Sequence, residues 1–324
     1  MRFIKFLLFV LLLVTLVPVG FTGWRMVVER QSQEPVPAEG RLVPTAFGRI
    51  YVEEAGPEDG KPVLLVHGMA AWSAFWRGTS DRLAAEGYRV IAFDMPPFGW
   101  SDRQDGRGYD RATQGRRLMA LVEALGIRPV VVAHSFGAGA AAEAAMSRPH
   151  GFAGLVLVDA ALGVGSADTN RLPTLLAQPI LRHMATASTM SNAVLGRWLL
   201  SRFIYRTEAA TEDLARLLAE PNTRRGTTSA FADWVPTLFE TPNTPSAKGE
   251  GWAALRLPLA LIWGAEDKIT PPSQGRYISD LTGAPMTLLS GVGHIPQIED
   301  PEAFQAALLE ALGKLGPAPL SPTE

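Results

Sequence analysis

Cysteine is absent from the 324-residue chain. That absence excludes disulfides, thiolate zinc sites, a cysteine nucleophile and a lipid-modified N-terminal cysteine, and it leaves the redox compartment open. Histidine is scarce, with five copies at His67, His134, His150, His183 and His294. None lies four residues from another, so the chain lacks a helical histidine pair for a metal, and no metal is expected. A basic block is missing too: 30 Lys and Arg are spread against 32 Asp and Glu, for a formal net charge of -2. Nucleic acid is not an expected partner, because nothing gathers the positive charge that a phosphate backbone demands. There is no internal repeat and no low-complexity tract.

Apolar residues, by contrast, make up 47% of the chain, enough for a large core and for one large α/β domain or two ordinary ones. The N-terminus stands apart. Arg2 and Lys5 precede an uncharged run from Phe6 to Trp24. As a helix, such a run reaches roughly 28 Å, close to the thickness of a bilayer's hydrocarbon core. Val17-Pro18-Val19-Gly20 is a poor signal-peptidase site, and Trp24 suits a membrane interface. The expectation is a membrane-anchored protein with its catalytic domain outside the cytoplasm. The alternatives are a secreted or periplasmic body after signal cleavage, or a purely structural helix. Arg25 and Arg30 just beyond the run weaken the assigned orientation.

Residues 1–28 thus form the N-terminal segment, and the polar stretch 29–40 is expected to be a linker. Beyond it, strand-like apolar runs alternate with helical patterns. Gly48 to Glu54 resembles a strand; Val63–Val66, Val90–Phe93, Val130–Ala133, Leu155–Val158, Leu259–Trp263 and Met286–Leu289 have the short continuous form of strands buried on both faces. Helical patterns fill Arg111–Leu125, Ala138–Met146 and Glu302–Leu312. The alternation predicts an α/β fold with a mostly parallel sheet flanked by helices. It breaks over 163–252, where no buried-strand run occurs and prolines at 173, 179, 221, 236, 242 and 245 punctuate a helical pattern. This reads as a helical insertion over the ends of the strands, between core segments 41–162 and 253–316, with a tail at 317–324.

In a parallel sheet, chemistry gathers where strands end. The strand ending at Ala133 runs into His134-Ser135-Phe136-Gly137-Ala138-Gly139 and an Ala-rich helix. A serine at such a turn is held exposed in front of a helix N-terminus, and the small neighbours permit the turn. The stretch resembles the nucleophile elbow of the α/β-hydrolase family, G-x-S-x-G, with Ala133 in place of the first Gly. His67-Gly68-Met69 after the strand at Val66 is similar to the family's oxyanion loop. Asp94-Met95-Pro96-Pro97-Phe98-Gly99-Trp100-Ser101 is similar to its D-x-P-G-x-G-x-S turn, with Pro97 for a Gly. The strand Leu259–Trp263 ends in Gly264-Ala265-Glu266-Asp267 before Pro271, and a later strand is followed by Gly291-Val292-Gly293-His294. His294 alone of the five histidines follows the acid.

The resemblance implies the α/β-hydrolase fold with a helical cap, Ser135 as nucleophile, His294 as base and Asp267 as acid, with Glu266 a weaker candidate. It also implies oxyanion donors at the Met69 and Phe136 N–H groups. His67 and Asp94 are read as braces of their loops. A serine at position 135 argues against dehalogenases and epoxide hydrolases, which resemble the chain overall but place an Asp there. The expected activity is hydrolysis of carboxylic esters of hydrophobic substrates through an acyl-enzyme, without a cofactor. Carbon–carbon bond hydrolysis, lactone hydrolysis and cofactor-free perhydrolysis remain open on the same triad, and a non-catalytic hydrolase-fold binding protein is the reading from another class. Trp198, Phe203, Tyr205, Phe231, Trp234 and Phe239 supply aromatic surface to the insertion. The partners expected are a small, apolar ester substrate and the membrane; the oligomeric state stays undetermined.

Overall fold

The structure, a computed structural model, describes residues 2–32, 35–103, 108–164, 172–192, 195–240 and 243–315, with side chains from residue 16 onward. Its centre is an eight-stranded sheet of β1 (Gly40–Thr45), β2 (Gly48–Ala55), β3 (Lys61–Val66), β4 (Tyr88–Phe93), β5 (Val130–His134), β6 (Gly154–Val158), β7 (Leu259–Gly264) and β8 (Met286–Leu289). The strand order is β1-β2-β4-β3-β5-β6-β7-β8. β1 and β2 pair antiparallel, as do β2 and β4; every other pairing is parallel.

The continuous Val, Leu and Ile runs form the inner strands because both faces are covered. Along β3, Leu64 and Val66 join a core with Leu118, Leu121 and the alanines at 140, 141 and 144. Val63 and Leu65 point the other way, toward Leu83, Phe304 and Leu308. The helices carrying these residues are α2 (Arg77–Ala85), α3 (Arg111–Leu125), α4 (Phe136–Ser147) and the C-terminal Pro301–Lys314. β1, absent from the sequence reading, is an edge strand of partly exposed residues that includes Pro44, a residue tolerated where no ladder partner is needed. In register, Val66 lies beside Ala133, His134 beside Val158, and Val158 beside Ile262. The C-terminal ends of β3, β5, β6 and β7 therefore lie in one row, and the loops after them share one edge of the sheet.

Between β6 and β7 the described residues form helices and no strand: α5 (Thr174–Ala177), α6 (Pro179–Ser188), α7 (Gly196–Phe203), α8 (Glu212–Ala219), α9 (Thr227–Trp234) and α10 (Gly249–Ala254). After β7 come α11 (Pro272–Thr282), α12 (Pro296–Glu299) and α13 (Pro301–Lys314). The proposed tail from 317 to 324 lies outside the described residues.

The N-terminal segment requires a correction. The expected membrane anchor, with its catalytic body outside the cytoplasm, is overturned: among the described residues no helix is long and apolar enough to cross a membrane. The run Phe6–Trp24 is part of a longer helix, α1 (Arg2–Gln31), and its side chains up to residue 15 lie outside those described. Past Trp24 the helix carries charge and packs on protein. It lies against α6, and the buried Arg25 and Glu29 pair at 3.0 Å. Glu29 also accepts from the Thr228 amide at 3.0 Å and from the Thr228 hydroxyl, while Arg25 donates to the Asn222 carbonyl. These contacts tie the end of α1 to the helices between β6 and β7.

Candidate active site

Ser135 occupies the single residue between β5 and α4 and has φ +50°, an unusual backbone for a residue with a side chain. Its neighbours impose and permit that turn. The Ser135 N–H donates to Val158 O, and its carbonyl accepts from Ala138 and Ala161. A Cβ on Gly137 would stand 2.4 Å from the His67 carbonyl, and one on Gly68 would stand 3.0 Å from Ser135 Cβ, so both crossings require glycine. The Phe136 N–H opens α4 without an intrahelical acceptor, and Met69 and Ser135 together line two cavities.

His294 stands on the loop after β8 with Nε2 2.8 Å from Ser135 Oγ and Nδ1 2.9 Å from Asp267 Oδ2. Asp267, on the loop after β7, accepts at Oδ1 from the Ile269 and Thr270 amides, and at Oδ2 from the Thr270 hydroxyl at 2.6 Å. Burial pushes its carboxyl up, but the hydrogen bonds from His294 and Thr270 outweigh burial and hold it below the usual carboxylate range. All three side chains are buried, at 6%, 4% and 3% exposure for Ser135, Asp267 and His294. Glu266 contributes only a backbone bond, its N–H to Val292 O.

The two braces read from sequence hold their loops through buried polar contacts. His67 accepts from the Met95 amide at Nε2 and donates from Nδ1 to the Gly68 carbonyl, and burial pulls its imidazole down to about 4. Asp94 accepts from the Ser73 and Trp100 amides at 2.6 Å each. Burial, ahead of those bonds, raises Asp94 to about 7.

Three further residues escaped the sequence reading. Glu299 accepts the N–H groups of Gly293 and Ile295 on either side of His294, and those of Tyr205 and Arg206 from the chain after α7. No motif announces it, because it binds backbone N–H groups, which any residue supplies, and two of its four partners lie more than ninety residues away. His134 donates from Nε2 to the His294 carbonyl at 2.8 Å, and burial pulls it down to about 3. Asp159 follows β6 at φ +41° and is fully buried; its Oδ1 accepts from the Gly264 amide at 2.9 Å. Burial first, then the charge of Asp267, hold its carboxyl well above the ordinary range. An acid at the end of a strand was the available signal.

Ser135 opens onto both cavities. One, of about 210 Å³, is lined by Phe75, Leu199, Leu200, Phe203, Leu218 and Ile295 among others, with Asn192 and Asn222 as its amides and no charged side chain in its lining. The other, about 1220 Å³, includes Asp110, Arg111, Glu240, Lys268, Gln274 and Tyr277. Of the insertion's aromatics, Phe203 lines the first and Phe239 the second, Phe231 and Trp234 are core, and Trp198 and Tyr205 are exposed.

Comparison with known proteins bears on the fold and its class. Residues 61–301 match the family model described as alpha/beta hydrolase fold. A 2-hydroxy-6-oxononadienedioate/2-hydroxy-6-oxononatrienedioate hydrolase of Paraburkholderia phymatum is 29% identical over 273 residues, covering 82% of this chain and 91% of the relative. The structure of a meta-cleavage product hydrolase from Pseudomonas fluorescens IP01 superposes with a TM-score of 0.68 at 25% identity, over 85% of this chain and 98% of that one. That of a membrane phospholipase A superposes with a TM-score of 0.71 at 23% identity, over 98% and 99%, a likeness of fold. The chain belongs to the alpha/beta hydrolase fold family and is an enzyme of the hydrolase class.

Proposed function

We propose that the chain is a serine hydrolase that transfers an acyl group to water. His294 takes the Ser135 proton as the oxygen attacks a carbonyl carbon, and Asp267 holds the imidazole tautomer and stabilises the imidazolium. The Met69 and Phe136 N–H groups receive the oxyanion, each contributing about 3 kcal/mol by analogy with single-donor deletions. Protonated His294 then passes its proton to the leaving group, and water releases the acyl-enzyme. The observation that carries this reading is the continuous chain from Ser135 Oγ through His294 to Asp267 at 2.8 and 2.9 Å.

The substrate supported by the site is a carboxylic ester with an uncharged apolar acyl part, seated in the 210 Å³ cavity beneath α7 and α8, which act as its cap. The polar half of the substrate occupies the wider cavity. A second reading, cleavage of a carbon–carbon bond next to a ketone, is favoured by the named activity of the sequence relatives, which supports it better than they support ester cleavage. A carboxylate on such a substrate finds Arg111 and Lys268 in the wider cavity.

A panel decides between them: p-nitrophenyl esters of graded acyl length beside a 2-hydroxy-6-oxo-dienoate. The ester reading predicts turnover rising beyond the butyrate, because a longer chain buries about 0.8 kcal/mol more per methylene. Efficient consumption of the dienoate with weak ester turnover would replace it with the second reading.

A further inference from the structure

Asp159 is a buried ionisable group of this centre that the mechanism leaves unused. One of its carboxyl oxygens, one of Asp267's and a ring nitrogen of His294 all lie within 4.8 Å of one another. Oδ1 takes the Gly264 amide, whereas Oδ2 is buried with no N–H or O–H donor among the described residues. A buried carboxylate oxygen left without a donor is costly, and a second charge beside Asp267 adds repulsion. A proton on Oδ2 removes both penalties and turns the orphan acceptor into a donor. The groups that face this carboxyl are Asp267 after β7, His294 after β8 and Glu299 of α12, with His134 at the end of β5 beyond His294.

We infer that Asp159 is a positioning residue that stays protonated and donates its hydrogen bond to the Asp267 carboxylate. The two acids then carry one negative charge between them. That bond fixes the orientation in which Asp267 meets His294 Nδ1 and limits how strongly it attracts the imidazolium. The inference rests on the triad proposed above.

The test follows the imidazole of His294 by NMR across pH, without substrate, in the wild type and in the D159N and D159L variants, with a His294→Gln sample to assign the resonance. D159N keeps a donor and an acceptor and is neutral. It should leave the His294 midpoint within about 0.3 unit of wild type, a factor of ~2 in the equilibrium, and keep kcat within about threefold. D159L removes the donor. It should raise the midpoint and lower kcat at least tenfold while changing KM little, a split that a packing role would not produce. A fall of about one unit or more in D159N would mean that a charge had been removed, and the inference would be overturned. Equal kcat in D159N and D159L would overturn it as well. Should D159L fail to fold, the D159N midpoint alone decides. Should the wild type hydrolyse nothing, the triad reading fails, and the midpoint still reports whether Asp159 holds a proton.

Discussion

Glu266 and Asp267 are adjacent carboxylates on the loop after β7, and one residue separates a catalytic assignment from an idle one. Of the two, only Asp267 reaches His294, and Thr270 donates to it as well. Asp267→Asn is therefore expected to cut kcat by about 10⁴, by analogy with the same change in a serine protease triad, while Glu266→Gln stays within a few-fold; steady-state kinetics on the best ester checks both. The pH dependence follows from the same contacts. A carboxyl held below its usual range keeps its favourable bonding above that range and loses it only as pH falls through the depressed value. Above about pH 5 Asp267 stays ionised, so it adds nothing to the acid limb of kcat/KM there, which should have a log slope of one. A slope of two would mean that a second group must lose its proton. The hydrogen-bonded Ser135, His294 and Asp267 were legible as candidates because each follows an identifiable strand in the order the family uses. His134 was not, because it meets the His294 carbonyl from 160 residues away, and Glu299 was not, because it holds backbone N–H groups, which no motif encodes.

Helix α1 teaches the limits of reading an element from its composition. A uniformly apolar run predicts burial, yet its described side chains, from Leu16 to Trp24, are exposed or half-buried, and the buried residues that dock the helix, Arg25 and Glu29, lie past the run. Their partners on Thr228 and Asn222 are nearly two hundred residues away. Asn222 also lines the apolar cavity, so the pair connects the N-terminal helix to the site's wall. Removing one member of a buried pair costs about 3–5 kcal/mol. Glu29→Ala should accordingly speed hydrogen exchange at the Thr228 amide by two orders of magnitude or more; unchanged protection would show that apolar packing alone holds α1. The central strands, by contrast, were readable to within a residue or two, since parallel strands buried on both faces have a sequence form of their own. β1 lacked that form because an edge strand is half solvated.

Across the whole molecule, the parallel register gathers Met69, Ser135, Asp159, Asp267 and His294 from five separate loops at one sheet edge. The helices between β6 and β7 complete the cavities there. Size and charge divide the site into a small apolar side and a larger side that carries Asp110, Arg111, Glu240 and Lys268, with the serine between them. Substrate identity was not legible, because cavity walls are built from residues whose spacing carries no code. The central claim is that Ser135 is an activated nucleophile. It is tested most directly by incubating the full chain with a fluorophosphonate and measuring intact mass, followed by peptide mapping. One adduct per chain is predicted, on Ser135, abolished in Ser135→Ala and slowed at least a thousandfold in His294→Ala by analogy with triad deletions elsewhere. A chain that stays unlabelled, or that carries its adduct on another residue, would contradict the account.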